Sequence, residues 1–289
     1  MYVNIYLLAF TIRLGFAVNN IRSSLAAMPK FCANLSFLFK EKPLLERYAA
    51  AKNAGFHCVE SGFPFGFTKE QVVDAKNSAG IEQLLINSLT GDVTKGELGF
   101  AAIPGKEKEF LHSIKITIDY AKALGAQKIH IMSGKITEGG VTKAHDTAYI
   151  SNLRNASSLL QQANILGVIE PINRYSIPKY YMNSYEKAIE VIKTINSPNI
   201  RLQLDIFHLQ LIKGDISHTI DEVKPFIGHV QVAQAPNRGE PDSAGEINYK
   251  YVFEALEKSG YNDWIGLEYN PINDTVNGLK WVKDFGFSL

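Results

Sequence analysis

Gly167-Val-Ile-Glu-Pro-Ile-Asn-Arg174 continues a short apolar run, begun at Ile165, that stops at a carboxylate followed by proline. Proline has no amide hydrogen to give a central strand ladder, so the strand ends there and Glu170 stands at its C-terminal tip. Three later segments close in the same way. Ile200-Arg-Leu-Gln-Leu-Asp205 runs into Ile-Phe-His208, Ile227-Gly-His-Val-Gln231 runs toward Pro236-Asn-Arg238, and Trp264-Ile-Gly-Leu-Glu268 runs into Tyr-Asn-Pro271. The four tips are 35, 26 and 37 residues apart, room each time for one helix and two loops between parallel strands.

The same rhythm extends back toward the N-terminus. Phe31–Ser36 reads as a first strand, followed by a helix opened by Pro43 with Leu44, Leu45, Tyr48 and Ala49 on one face and Gly55 as its stop. His57-Cys-Val-Glu60 is a second strand with a polar tip, and Thr68-Lys-Glu-Gln71 has capping-box spacing for the next helix. Ile81–Asn87, a helix over 107–124, Lys128–Met132 and a helix over 143–164 complete the approach to Glu170. Beyond it, Ser184, Asp215, Asn248 and Asp274 are placed to cap four more helices. Eight strands alternating with eight helices predict a single (β/α)8 TIM barrel over residues 28–289 rather than an open sheet. No dinucleotide fingerprint or phosphate loop follows any strand, which speaks against a nucleotide cofactor.

Residues 1–27 differ from the rest: Arg13 and Arg22 are present, no acidic residue precedes Glu41, and the apolar stretch around Ile5–Ile12 is short of the roughly 20 residues a membrane span needs. They read as an N-terminal extension, either a mitochondrial-type presequence or a gene-model extension upstream of Met28, with a weak secretory signal the least favoured alternative. Cytoplasmic location is expected, mitochondrial if the extension is a presequence. With 46% hydrophobic and 20% charged residues and a formal net charge of +1, the 289-residue chain can bury a large core and offers no charge excess for nucleic acid. Cys32 and Cys58, on neighbouring strands, read as buried reduced thiols.

In a barrel of this kind the C-terminal strand ends line the catalytic mouth. Glu170, Asp205 and Glu268 therefore bring three carboxylates to one cleft. Like charges that close raise one another's pKa unless a cation intervenes. Oxygen ligands suit Mg²⁺ or Mn²⁺, with Gln231 as a neutral fourth donor. His208, read as part of a mouth loop, and the cations Arg238 and Arg174 are candidates for binding a substrate oxygen or carboxylate. Glu60 is expected to support the ligands rather than join them, His229 and His130 to pack in the core, and Tyr180 and Tyr181 to pack within their loop.

Glu170-Pro-Ile-Asn-Arg174, Leu204-Asp-Ile-Phe-His208, His229-Val-Gln231 with Arg238-Gly-Glu-Pro241, and Gly266-Leu-Glu-Tyr-Asn-Pro271 resemble the hydroxypyruvate isomerase family, a group of xylose-isomerase-like barrels. Asn34–Phe39 and Asn87 with Gly91-Asp92 match as well, so the resemblance runs from Met28 to the C-terminus. It implies that Glu170 and Glu268 face each other across the substrate as proton donor and acceptor. It also implies a metal on Glu170, Asp205, Gln231 and Glu268, although related sugar epimerases carry histidine where Gln231 stands. The implied reaction interconverts hydroxypyruvate and 2-hydroxy-3-oxopropanoate (tartronate semialdehyde) through an enediolate, on a small hydroxy-oxo acid, with no nucleic-acid or membrane partner and with homo-oligomerisation open. A ketose 3-epimerase or other small-sugar isomerase is the nearest alternative, and a catalytically silent barrel used for binding a more remote one.

Overall fold

The computed structural model describes residues 29–136 and 139–289; the extension expected over residues 1–27 lies outside the described residues. Eight parallel strands close on themselves in chain order. They are β1 (Lys30–Asn34), β2 (Cys58–Ser61), β3 (Glu82–Asn87), β4 (Lys128–His130), β5 (Leu166–Ile169), β6 (Ile200–Asp205), β7 (Ile227–Val232) and β8 (Trp264–Leu267). β8 pairs back onto β1 with Phe31 opposite Ile265 and Ala33 opposite Leu267, which completes the expected (β/α)8 TIM barrel. The outer layer comprises α1 (Leu44–Asn53), α2 (Lys69–Ala79), α3 (Glu107–Leu124), α4 (Lys143–Ala163), α5 (Tyr185–Ile195), α6 (Ile206–Ile212), α7 (Ile216–Val223), α8 (Tyr249–Lys258), α9 (Thr275–Gly278) and α10 (Lys280–Asp284). No described helix is long and apolar enough to cross a membrane.

Local chemistry explains most of these boundaries. Thr68 and Gln71 form both hydrogen bonds of the capping box that starts α2, and Gly80 ends it in the left-handed conformation. Ser184, Asn248 and Asp274 cap α5, α8 and α9 as their positions suggested. Asp215 does not cap α7: its backbone is left-handed and its carboxylate turns to His218 Nδ1 at 2.7 Å. Ala49 likewise departs from the reading of α1. It faces solvent while Tyr48 and Ala51 are buried, because the inward stripe of α1 runs through positions 48 and 51.

Among the described residues ten α-helices stand where eight were expected, for two reasons. The last βα unit breaks into α9 and α10, and the unit after β6 breaks into α6 and α7. The second break matters to the site. Asp205 ends β6 and immediately caps α6, Oδ1 accepting from Phe207 N at 2.8 Å. His208 is consequently in the first turn of a helix, not in a loop.

Apolar side chains fill the space between strands and helices, with Phe31, Phe253, Trp281 and Phe287 packed ring against ring at one seam. Inside the barrel the apolar content is small: Cys32, Cys58, Leu84, Leu85 and Val168. Both cysteines are free, and burial pushes the Cys32 thiol well up. The rest of the lumen is polar and buried, including Asn34, Glu60, His130, Gln203, His229 and Gln231. Register shifts at Val59/Glu60 and Leu202/Gln203 bend two strands where these polar residues begin.

Candidate active site

Glu170 follows the last residue of β5 and is 4% exposed. Its Oε2 lies 3.5 Å from His130 Nδ1, and its Oε1 is buried without a hydrogen-bond partner. Burial, then the charges of Glu268 and Asp205, push its carboxyl well above the usual range. Glu268 follows β8 and keeps 12% of its side chain exposed at the mouth. Burial and the neighbouring Asp205 outweigh the pull of Arg238 and push Glu268 up to about 8. The two glutamates thus belong to one charge cluster in different surroundings, Glu170 with one buried oxygen lacking a partner and Glu268 held.

Glu268 is held on both oxygens. Asn34 Nδ2 donates to Oε1 at 2.9 Å, and Arg238 Nη2 donates to Oε2. The same Arg238 nitrogen reaches Asp205 Oδ2 at 3.3 Å, and Nε donates to the Glu268 carbonyl at 3.2 Å. The guanidinium lies between the rings of Phe37 and Phe207, at 4.6 and 4.7 Å from their centroids. The loop after β7 makes this possible. Gln234 N donates to Gly239 O at 2.9 Å, folding the loop back on itself, and Arg238 takes a left-handed φ of 56° inside that fold. Buried Glu240 then accepts from Ile272 N at 3.0 Å and ties this loop to the one after β8.

His208 is buried with Nε2 3.7 Å from Glu170 Oε1 and 3.6 Å from Asp205 Oδ2. Its other nitrogen faces two donors of Asn173, the backbone N at 3.2 Å and Nδ2 at 2.6 Å. Asn173 Oδ1 accepts from Tyr175 N and Ser176 N, both at 2.9 Å, which fixes Nδ2 toward the ring. A backbone N–H can only donate, so Nδ1 accepts and Nε2 carries the hydrogen. Burial and the nearby Arg238 push the imidazole well down, so the ring is neutral and offers one N–H to the cavity.

The residues singled out by sequence divide cleanly. Glu170, Asp205, His208, Arg238 and Glu268 converge. Arg174 does not join them: it is exposed, stacked on Tyr175 and donating to its hydroxyl at 2.9 Å. Gln231 lies at the lumen side of the cluster with its amide engaged at both ends, Nε2 on Glu60 Oε1 and Oε1 on Gln203 Nε2, each at 2.6 Å. His229 and His130 are buried as expected, and Tyr180 and Tyr181 are buried under the mouth. Asn34, Asn173, Phe37 and Phe207 were not singled out as site residues. Asn34 follows the same rule as the others, a polar residue at a strand tip, but the absence of charge hid it.

Among the described residues, Glu170, Asp205 and His208 present ligand-type atoms that all lie within 4.8 Å of one another. The unpartnered Glu170 Oε1 and the convergent carboxylates fit a hard divalent cation. His208 presents a hydrogen rather than a lone pair, so the fit is carried by the oxygens of Glu170 and Asp205; the expected ligands Glu268 and Gln231 lie outside this group.

A family profile described as xylose isomerase-like TIM barrel matches residues 48–285. The hydroxypyruvate isomerase of Escherichia coli is 39% identical over 258 residues, covering 89% of this chain and 100% of the relative. The 2-oxo-tetronate isomerase of Haemophilus influenzae is 37% identical over 258 residues, again 89% and 100%. Among solved structures, one titled AP endonuclease, family 2, from Brucella melitensis superposes with a TM-score of 0.86 at 41% identity, covering 89% of this chain and 99% of that one.

Proposed function

This chain belongs to the xylose isomerase-like TIM barrel family, and from that premise we propose that it is an isomerase interconverting hydroxypyruvate and 2-hydroxy-3-oxopropanoate. The observation that carries the reading is the pair Glu170 and Glu268, close enough at the barrel mouth that the charge of Glu268 raises Glu170, and set among unlike partners. Proton transfer at adjacent carbons needs one carboxylate to accept and one carboxyl to donate, and unlike surroundings separate those roles.

The chemistry balances without a redox cofactor. One glutamate takes a proton from the hydroxymethyl carbon of hydroxypyruvate, and the electron pair left behind makes an enediolate. The other gives a proton to the neighbouring carbon, and the hydroxyl proton passes from one oxygen to the other. Arg238 binds the substrate carboxylate, exchanging part of its hold on Glu268 and Asp205 for it. His208 donates its Nε2 hydrogen to the oxygen on which charge develops. Mg²⁺ or Mn²⁺ would sit on Glu170, Asp205 and Glu268, with Gln231 as fourth ligand once its oxygen leaves Gln203. Bound there, the cation supplies positive charge that lowers the neighbouring carboxyls and stabilises an oxyanion.

A cation at the mouth favours an acid over a neutral ketose, which would want neutral hydrogen-bonding groups instead. A metal-dependent endonuclease would want more histidine ligands and a basic face; the formal charge is +1. The test is proton exchange in D₂O, followed by NMR, with hydroxypyruvate, 2-oxo-tetronate and a ketohexose, each with Mn²⁺ and after chelation. Conversion of an acid with deuterium incorporation supports the reading. Turnover of the ketohexose alone moves the assignment to a sugar epimerase, and inertness toward all three removes the enzymatic reading.

A further inference from the structure

Asn34 and Glu60 stand opposite each other in the β1–β2 register, directly below the mouth. Asn34 Oδ1 accepts from Ser36 N at 2.9 Å, which fixes the amide and leaves Nδ2 facing two carboxylates, Glu60 Oε1 and Glu268 Oε1, each at 2.9 Å. Glu60 is fully buried. Gln231 Nε2 meets its Oε1, and His229 Nε2 meets its Oε2, both at 2.6 Å. The other His229 nitrogen faces Lys128 Nζ at 3.4 Å; a lysine ammonium only donates, so Nε2 carries the imidazole hydrogen and donates it to Glu60. Lys128 in turn donates to Asp263 Oδ2 at 2.7 Å, at the opposite end of the barrel.

β8 is shaped around this chain of bonds. A β-carbon on Gly266, two residues before Glu268, would lie 2.6 Å from Glu60 Oε2 and closer still to Oε1. A buried carboxylate needs full partnering; of the three side chains that partner Glu60, His229 leads to Lys128 and Gln231 to Gln203, and Asn34 alone goes on to the carboxylate of Glu268.

We propose that Asn34 and Glu60 are positioning residues for the proton transfer performed by Glu268. Glu60 locks the Asn34 amide, and the amide pins Glu268 Oε1, which sets the direction in which Oε2 meets Arg238 at the mouth. Neither residue touches substrate. The inference rests on the proposed function for its kinetic readout and on the hydrogen-bond geometry for its structural one.

Asn34→Ala removes the pin while Arg238 still holds Glu268 nearby. A misplacement of about 1 Å in a reacting group costs on the order of 100-fold, so kcat for hydroxypyruvate is expected to fall about 30- to 100-fold with KM within about 3-fold. In D₂O, run from each of the two substrates in turn, deuterium exchange at the carbon served by Glu170 outruns conversion in the variant. Gly266→Ala displaces Glu60 without altering Asn34 or Glu268, and it gives the same signature. Combined with Asn34→Ala it adds no further loss in kcat, because both act through one bond. Glu60→Ala is the riskier variant, since it strands His229 and Gln231.

Wild-type kcat in Asn34→Ala overturns the proposal. So does a loss in which exchange and conversion fall in proportion. If the wild-type protein itself is inert toward hydroxypyruvate, the functional reading has failed instead. The positioning is then judged by the crystal structure of Asn34→Ala: Glu268 spread over several rotamers upholds it, and a single unmoved rotamer overturns it.

Discussion

Replacing Arg238 with methionine keeps a flexible stem between Phe37 and Phe207 and removes the charge that faces Glu268 and Asp205. Breaking a buried ion pair from one side costs about 3–5 kcal/mol. Arg238 retains 15% exposure and the stranded carboxyls can take up protons, so about 3 kcal/mol is expected where they are ionised in the native protein. For a domain of this size that is a drop in Tm of about 6–9 °C. The pH dependence follows from the sign of the pairing. Arg238 pulls both carboxyls down, and Glu268 sits at about 8 despite it. Below that pH Glu268 holds its proton in both proteins and the missing charge matters little there. As pH rises through about 8, wild-type Glu268 ionises against Arg238 while the variant's carboxyl must either stay protonated or lie unpaired. The gap in Tm, measured by calorimetry in chelator, should therefore be wider at pH 9 than at pH 6. KM for hydroxypyruvate should rise about 10- to 100-fold, the worth of a lost charge-assisted hydrogen bond, and far less for a neutral sugar. A gap that is equal at the two pH values, or wider at pH 6, refutes the pairing argument; equal KM effects on acid and sugar refute the carboxylate role.

Glu170→Gln and Glu268→Gln should each abolish turnover while leaving Tm within a few degrees of wild type; substantial residual activity in both is incompatible with two-glutamate transfer. Divalent cations bind deprotonated carboxylates, and burial and neighbouring carboxylates raise both Glu170 and Glu268 above the usual range, so added Mn²⁺ should raise Tm more at pH 8 than at pH 6. A stabilisation that does not change with pH would remove these carboxyls from the ligand set. His208 should appear in ¹⁵N NMR of the metal-free protein as a neutral Nε2–H tautomer that does not titrate between pH 5 and pH 8, since burial and Arg238 push its pKa well down; a titration within that window contradicts the Asn173 hydrogen-bond assignment.

The barrel was legible because the last four strands each run into a polar tip, and strands recur along the chain at intervals that admit one helix. The tip rule also placed Glu170, Asp205 and Glu268 together. It failed at His208 because Asp205 does two jobs. A strand-ending aspartate looks like the start of a loop, and nothing in the spacing says that its carboxylate caps the next residues into α6. Arg174 and Arg238 were indistinguishable by type and location on mouth loops. Their fates differ through contacts that periodicity does not encode: one stacks on its neighbour Tyr175, and the other is turned inward by the bridge between Gln234 and Gly239. The bond from Asn34 to Glu268 spans 234 positions of sequence, so only closure of β8 onto β1 brings it about. Glu60 was recognised as a supporting residue, but its partners on β1 and β7 emerge only from the closed lumen.

The junction at Asp205 has a consequence for how this pocket can be resized. β6 ends at Asp205 and α6 begins at Ile206, so no residue lies between them, and one carboxylate oxygen is spent on the first amides of the helix. An insertion there would have to break the cap and displace His208 together with it. Lengthening is open instead after the other seven strands, where loops already separate strand from helix. Variants built to admit longer substrates should therefore be sought in those loops, with the sixth junction kept as the fixed wall against which the pocket is measured.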